Sequence, residues 1–338
     1  MRIVELGKYY APELGGIENS TRFAAETLAR RHDVRVLVFN RAARTVVETV
    51  GPVEVTRVAS LGRVAAQEIA PALIAALARL APDIVHLHTP NPLGVVACLV
   101  AARRVPVVVA HDSDIVRQRR LGSLVAPFYR RILGRAVAVT VMSPIYGQTS
   151  AELATVRDRL VVLPYGARPE SFDATPAILD RARALRAGLA GTGPVVAFIG
   201  RHVHYKGVEV LLAALARLPD VRALIAGDGP MRPFYETRAR DLGLGPRVRF
   251  LGAVDEPDKV AVYHAADAFA LPCLNRAEAF GEVQVEAQLC RLPVVTSNVV
   301  SGVIDVTRDG VTGLVVAPGD ADALAAALGR VLGDADYG

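Results

Sequence analysis

Short apolar runs alternate along the chain with longer stretches in which apolar residues recur every three or four positions. The runs Arg2–Leu6, Val34–Asn40, Val53–Val58, Ile84–His88, Val105–Ala110, Ala138–Met142 and Leu160–Leu163 are rich in Val, Ile and Leu. Runs of this kind fit strands of a parallel sheet buried on both faces, and the stretches between them fit the covering helices. The pattern starts afresh at Val195–Ile199 and continues through Ala223–Ala226, Val248–Leu251, Ala268–Leu271, Val294–Thr296 and Leu314–Ala317. Between the two series, Pro164–Pro169 and Gly188–Pro194 are rich in turn formers and enclose one helical stretch, Ala177–Leu189. This predicts an α/β protein with a first domain over 1–165, a linker carrying the hinge over 166–192, and a second domain over 193–338. A length of 338 residues, about twice that of a typical domain, agrees with two domains.

Composition narrows the class. Apolar residues make up 52% of the chain, enough for two cores. No run approaches the ~20 consecutive apolar residues of a membrane-spanning helix. The first residues, Met1–Leu6, read directly as a strand and not as a leader. The three cysteines, Cys98, Cys273 and Cys290, have no CxxC spacing, which suggests reduced thiols in the cytoplasm. A net charge of +5 and a pI of about 9.3 suit anionic partners: nucleotide diphosphates, lipid headgroups or nucleic acid. Nucleic acid is the least favoured, because 5% aromatic residues and no Trp leave few stacking platforms.

Candidate chemistry lies where strands end, the position at which open α/β sheets hold ligands. After the first strand, the loop Gly7–Glu18 carries Gly15 and Gly16 just before a helix that runs to about Arg31. Free backbone N–H groups there form an anion cradle, or the pair is an ordinary permissive turn. The loop is long and lacks GxGxxG, which argues against a nicotinamide enzyme. His86 and His88 share one face of a strand, so a metal pair is conceivable, but no third ligand stands out nearby. We read His88 as lining a cleft and His86 as a hydrogen-bonded core residue. His111 follows an apolar strand. Asp112 and Asp114 match a short metal-binding pattern that recurs at Asp320/Asp322 and Asp334/Asp336, so it carries little weight. Arg117, Arg119, Arg120, Arg130, Arg131 and Arg135 flank an apolar segment, Leu121–Tyr129, that Pro127 interrupts. The cluster is either a solvated face or a surface for anionic lipid.

In the second half, Gly200 and Arg201 end one strand, and Lys206 and Gly207 open the next helix. An arginine that grips two oxygens and a lysine point charge in one turn suit a diphosphate, though both also suit a plain surface. Gly227 in Ala226–Pro230 permits close backbone approach, or marks a simple turn. Glu278 lies in the loop after Ala268–Pro272, and Phe280 and Gly281 precede a helix running to about Cys290. At roughly 100° per residue, Val283, Ala287 and Cys290 share one stripe, and Val285 and Leu289 a second. Glu286 falls between them, whereas Gln284 and Gln288 mark a polar arc. A partly buried carboxylate needs donors, which paired ribose hydroxyls would supply. Both acids also read as helix-start residues favoured by the dipole.

Taken together these stretches resemble the retaining, nucleotide-sugar-dependent glycosyltransferases of GT-B architecture, family GT4. The resemblance rests on Tyr10–Glu18, Ile84–His88, His111–Gln118, Gly200-Arg201 with Lys206-Gly207, Gly227–Pro230, the Glu278/Glu286 pair and Asp309–Leu314. The glutamate pair with seven residues between is the most specific element, and His111–Gln118 is similar to members that build bacterial surface polysaccharides. The resemblance implies two Rossmann-like domains with parallel sheets facing across a cleft, the first taking the acceptor and the second the nucleotide. It implies catalytic roles for His111, Glu278, Arg201 and Lys206. Arg201 and Lys206 would neutralise the departing diphosphate, Glu278 with Phe280 and Gly281 would hold the donor sugar, and Glu286 would take the ribose. Gly15, Gly16, Gly200 and Gly227 would complete the donor-binding set, and His111 would approach the reacting carbon.

No cofactor and no metal are expected. The expected partners are a UDP- or GDP-linked sugar, a glycan or lipid-linked acceptor and an anionic membrane surface, placing the protein in the cytoplasm or peripherally on the inner membrane face. Two departures stand out. Arg291 occupies a place where the family usually has glycine, and the chain stops at Gly338, where relatives usually continue through a helical segment. The alternatives are a sugar-nucleotide epimerase or phosphorylase on the same fold, and a nucleotide-sugar-binding protein without turnover.

Overall fold

The computed structural model describes residues 1–13, 15–64, 67–114 and 119–333, with backbone alone for 119–124. Arg117, the Asp334/Asp336 pattern and the side chains of Arg119 and Arg120 therefore lie outside the described residues. The chain forms two compact units, Met1–Gly166 and Ala167–Gly338.

In the first unit the strands are β1 (Arg2–Leu6), β2 (Asp33–Phe39), β3 (Val46–Val50), β4 (Val53–Val58), β5 (Arg63–Val64), β6 (Gln67–Glu68), β7 (Ile84–Thr89), β8 (Val107–His111), β9 (Ala138–Val141) and β10 (Leu160–Val162). Eight of them form one sheet in the order β10-β9-β8-β7-β1-β2-β4-β3, and β5 and β6 form a small hairpin. Neighbours in the large sheet run parallel, except that β3 is antiparallel to β4. The apolar runs did not reveal β3, because its Val-Val-Glu-Thr-Val is an exposed edge strand whose Glu48 pairs with Arg57 across the ladder at 2.6 Å.

The helices are α1 (Gly16–Leu28), α2 (Ala72–Leu80), α3 (Pro92–Ala101), α4 (Arg119–Arg135) and α5 (Pro144–Thr149). Asn91 caps α3 by accepting from the Gly94 amide at 3.0 Å, and Ser143 caps α5 through the Tyr146 amide. Pro127 does not interrupt α4, which passes through it. Burial of Tyr129, Ile132 and Leu133 on the inner face stabilises the helix against the lost backbone bond. Arg135 leaves the basic cluster for a structural task. Its guanidinium donates to the carbonyls of Cys98, Ala102 and Val105, tying the end of α3 to the approach to β8.

Glu5, set among Ile3, Val4 and Leu6 on β1, is fully buried. Its register partner on β7 is His86. Its carboxylate meets His86 Nδ1 at 3.0 Å and His88 Nε2 at 2.9 Å, and Asp112 Oδ2 meets His88 Nδ1 at 3.3 Å. His86 is hydrogen-bonded as expected, but the burial of the two histidines is the reverse of that expected: His88 is fully buried, while His86 is partly exposed. The third group beside the histidines comes from the neighbouring strand, which spacing along one strand cannot display.

In the second unit the helices are α6 (Pro176–Ala187), α7 (Val208–Leu215), α8 (Arg232–Asp241), α9 (Glu256–His264), α10 (Glu282–Leu289), α11 (Val303–Val306) and α12 (Ala321–Gly333). The strands are β11 (Val195–Ile199), β12 (Arg222–Ala226), β13 (Val248–Gly252), β14 (Ala268–Leu271), β15 (Val294–Ser297) and β16 (Gly313–Val316). They make a parallel sheet in the order β13-β12-β11-β14-β15-β16. Every residue of β11, β12 and β14 is buried. The stretch from Ala167 onward packs with this unit. Arg186 on α6 makes a bidentate pair with Asp267, at 3.0 and 2.8 Å.

The strand order reverses direction between β11 and β14, so the loops after these two strands lie side by side. They are welded together at Gly207, which has φ 71°. A Cβ there would fall 1.8 Å from the Pro272 carbonyl oxygen. The Leu274 amide also donates to the Tyr205 carbonyl at 2.8 Å.

Gly207→Ala is expected to destabilise the second unit by more than about 2 kcal/mol, through left-handed backbone strain and the clash. Denaturant unfolding with a loss below about 0.5 kcal/mol would contradict this contact. The Glu5–His88–Asp112 chain predicts a pH dependence. Burial alone would lower the His88 pKa, but Asp112 and Glu5 raise it to about 10. Burial alone would raise the Glu5 pKa, but His86 and His88 hold it at about 2. The His88 contribution is therefore full below its ordinary value of 6.5 and is lost as pH rises through about 10. The Glu5 contribution is full above its ordinary 4.5 and is lost as pH falls through about 2. Glu5→Gln is expected to cost about 3–5 kcal/mol near pH 6, as for other broken buried pairs. Its deficit against the wild type should shrink as unfolding is repeated up to pH 10 or so.

Candidate functional site

The loops after β11 and β14 bring Lys206 and Glu278 together. Lys206 Nζ lies 2.5 Å from Glu278 Oε2, and both side chains are 11% exposed. Burial alone would lower the Lys206 pKa, but Glu278, Cys273 and Tyr205 raise it well above the usual lysine range. Lys206 is therefore a fixed cation at any working pH. Glu278 Oε2 also accepts from Cys273 Sγ at 3.9 Å. Oε1 of the same carboxylate accepts no hydrogen bond among the described residues. Arg201, on the same loop as Lys206, is exposed and has no ion pair among the described residues.

Gly200 and Gly227 form the adjoining floor. The Gly200 amide donates to the Ala226 carbonyl at 3.1 Å, and the Gly227 amide donates to the Gly252 carbonyl at 2.7 Å. A Cβ at Gly227 would lie 2.0 Å from the Gly200 carbonyl oxygen, so the loops after β11 and β12 touch only because this residue has no side chain.

Phe280 is buried, and Gly281, at φ 75°, is the N-cap of α10. The helix departs from the expected polar arc at Gln284, which is fully buried. Its Oε1 accepts from the Thr307 hydroxyl at 2.8 Å and its Nε2 donates to the Phe280 carbonyl at 3.2 Å. Periodicity within α10 cannot show that a threonine from another segment will meet an inward glutamine.

Glu286 is buried as expected, but its donors come from α9. Lys259 Nζ lies 2.9 Å from Oε1, and the Tyr263 hydroxyl donates to Oε2 at 2.7 Å. Lys259 packs over the Phe172 ring and also pairs with Glu256 at 3.1 Å. Burial would lower its pKa, but Glu286 and Glu256 raise it. Of the four charged groups predicted for this unit, Lys206 and Glu278 are in contact. Arg201 has no ion pair among the described residues, and Glu286 belongs to a separate triad with Lys259 and Tyr263. Lys259 and Tyr263 were not foreseen. Their spacing of four residues on one helix face was a signal, but nothing in the chain marked Glu286 as their partner.

In the first unit, Gly15 and Gly16 stand at the start of α1, where Gly15 makes no side-chain cap. A Cβ on Gly15 would lie 2.2 Å from Glu18 Oε2, so the chain's own carboxylate sits against the expected anion cradle. Burial raises the Glu18 pKa. His111 is buried and both ring nitrogens are engaged, Nδ1 with the Tyr129 hydroxyl at 2.5 Å and Nε2 with Asp114 Oδ1 at 3.1 Å. Ser150 donates to the same Asp114 oxygen, and the Tyr146 hydroxyl accepts from the Asp114 amide. A cavity of about 240 Å³ opens beside this network, walled by Phe23, Leu28, Met142 and Tyr165 and carrying His86 and Asp112.

Among the described residues, two groups of side chains could hold a metal ion: Glu5 with His86 and His88, and His111 with Asp114 and Glu152. Glu5 bonds both histidines of the first group, and His111 meets Asp114 in the second. No described helix is long and apolar enough to cross a membrane.

The glycosyl transferases group 1 model matches residues 184–337, and the glycosyl transferase 4-like domain model matches residues 15–166. The O-antigen chain mannosyltransferase C of Escherichia coli is 30% identical over 342 residues, covering 98% of this chain and 88% of that protein. The D-rhamnosyltransferase WbpZ of Pseudomonas aeruginosa is 35% identical over 237 residues, which is 70% of this chain but 60% of that protein, under two thirds of its length. Among solved structures, Anabaena HepE in complex with UDP and glucose superposes with a TM-score of 0.78 at 23% identity, over 99% of this chain and 90% of that one. Sucrose-phosphate synthase from Thermosynechococcus elongatus gives 0.79 at 22% identity, with the same coverage. The fold is GT-B, and the chain belongs to the GT4 family of glycosyltransferases.

Proposed function

We propose that this glycosyltransferase moves a hexosyl group from a UDP- or GDP-linked sugar to a hydroxyl of a glycan or lipid-linked saccharide, with retention of configuration. One observation carries the reading: the buried Lys206–Glu278 pair at the reversal of strand order, with Glu278 Oε1 left open. Breaking the glycosidic bond places charge on the departing diphosphate. Lys206 and Arg201 supply fixed positive charge there, where preorganised electrostatics contribute most to catalysis. Glu278 Oε1 takes a hydroxyl of the donor sugar. The acceptor attacks on the face that the leaving group vacates, and a phosphate oxygen accepts the acceptor's proton. Charge neutralisation by these two side chains gives the reaction no need of a metal.

The remaining assignments follow the family resemblance. Glu286, braced by Lys259 and Tyr263, takes the ribose. Phe280 and Gly281 offer backbone to the sugar, Gly16 meets phosphate, and His111 is held in one orientation for the sugar by Tyr129 and Asp114. Two names support the donor and acceptor classes: an O-antigen mannosyltransferase among the relatives, and a similar fold solved with UDP and glucose. An anionic membrane face is the proposed site of action. Phe128, Arg130 and Arg131 are exposed together on α4, the arrangement expected of a surface that rests on acidic lipid.

Glu278→Ala is expected to cut transfer by about a hundredfold or more while the free nucleoside diphosphate binds within about threefold of wild type. Equal loss of both would refute the sugar-holding role. Thermal unfolding with UDP, GDP and their sugars identifies the donor. A ligand at about 100 times its Kd adds about 2.7 kcal/mol of stability, and a series in which none raises the midpoint would count against a nucleotide-sugar donor.

A further inference from the structure

The Lys206–Glu278 pair rests on a third side chain that the reaction has not yet used. Cys273 is fully buried, two residues past the end of β14. Its amide donates to the Leu271 carbonyl at 2.9 Å, and its two neighbours are pinned. Pro272 is pressed against Gly207, and the Leu274 amide is bonded to the Tyr205 carbonyl. The thiol therefore has little freedom to move. Sγ lies 3.9 Å from Glu278 Oε2, the oxygen that Lys206 also grips. Burial pushes the thiol pKa well above its ordinary value, and the neighbouring Glu278 carboxylate pushes the same way. The sulfur thus stays protonated and acts as a donor. Two donors on one oxygen of a carboxylate fix its rotation, and here they leave Oε1 without a protein partner among the described residues.

We propose that Cys273 is a positioning residue: its thiol, with Lys206, holds Glu278 Oε2 so that Oε1 faces outward to take a donor-sugar hydroxyl. This rests on the assignment of Glu278 to the donor sugar. Three requirements follow at residue 273. The side chain must be small, because it is fully enclosed. It must carry a hydrogen, because the group above it is a carboxylate. It must remain uncharged, because a thiolate would repel that carboxylate.

The test compares Cys273→Ser, which keeps a small donor, with Cys273→Ala and Cys273→Val, which remove it at smaller and similar volume. Each full-length variant is assayed for kcat and KM with the nucleotide sugar and for Kd with the free nucleoside diphosphate. Loss of one hydrogen bond to a charged group should lower kcat/KM about three- to tenfold in the Ala and Val variants. The Ser variant should recover to within about twofold, and the free nucleotide should bind all three equally. Wild-type kcat/KM in the Ala and Val variants would overturn the proposal. So would a Ser variant as impaired as Val, or parallel loss of free-nucleotide binding, since both describe packing and not orientation. Glu278→Ala run alongside separates the two levels. Full transfer activity without Glu278 overturns the donor-sugar assignment itself, whereas loss of activity there with unaffected Cys273 variants overturns only the role of the thiol.

Discussion

A lysine and a glutamate held out of water depend on each other. Lys206 and Glu278 are both nearly enclosed, and neither charge would be tolerated there alone. Much of the second unit is arranged to make that pairing unavoidable. Reversal of strand order sets the loops after β11 and β14 side by side. A left-handed glycine at position 207 lets them touch, and the backbone bond from Leu274 to Tyr205 fixes their spacing. The fully apolar strands beneath provide a base that does not yield when the charges are placed on it. Fold and site are here one problem, because the sheet's topology decides which side chains can meet.

The first unit answers the same difficulty with a different solution. Glu5 and Asp112 are buried carboxylates with a protonated His88 between them, and Glu5 also bonds to His86. The chain of groups crosses β1, β7 and β8 close to where those strands end. It terminates near His111, whose own nitrogens are committed to Tyr129 and Asp114. A histidine held at both nitrogens is a rigid part. That rigidity suits a residue that orients a ligand better than one that must gain and lose a proton during turnover.

The strands were legible because parallel strands buried on both faces are continuous apolar runs. Val195–Ile199 and Ala268–Leu271 appear in the structure with the boundaries read from the chain. The antiparallel β3 was hidden because an exposed edge carries Glu and Thr in place of that signal. Strand ends carrying Gly, Arg, Lys and Glu marked Lys206 and Glu278, and the structure joins them. What could not be read is contact between segments distant in the chain. Gln284 reads as a solvent-facing residue, because the Thr307 hydroxyl that meets it inside lies on another segment. Lys259 and Tyr263 went unnoticed because their importance lies in Glu286. The exchanged burial of His86 and His88 has the same origin, in a Glu5 that a linear reading counts merely as a polar interruption of β1.

The Lys206 ammonium has three N–H groups and gives one direction of its charge to Glu278 Oε2. Under the proposed function the remaining donors turn to the pyrophosphate while the grip on Oε2 persists, and Oε1 meets the sugar. A bare hexose would then engage only the carboxylate, and a nucleoside diphosphate without sugar only the ammonium. A molecule carrying both halves would engage the whole pair, so one ion pair would serve as a joint check on both ends of the donor.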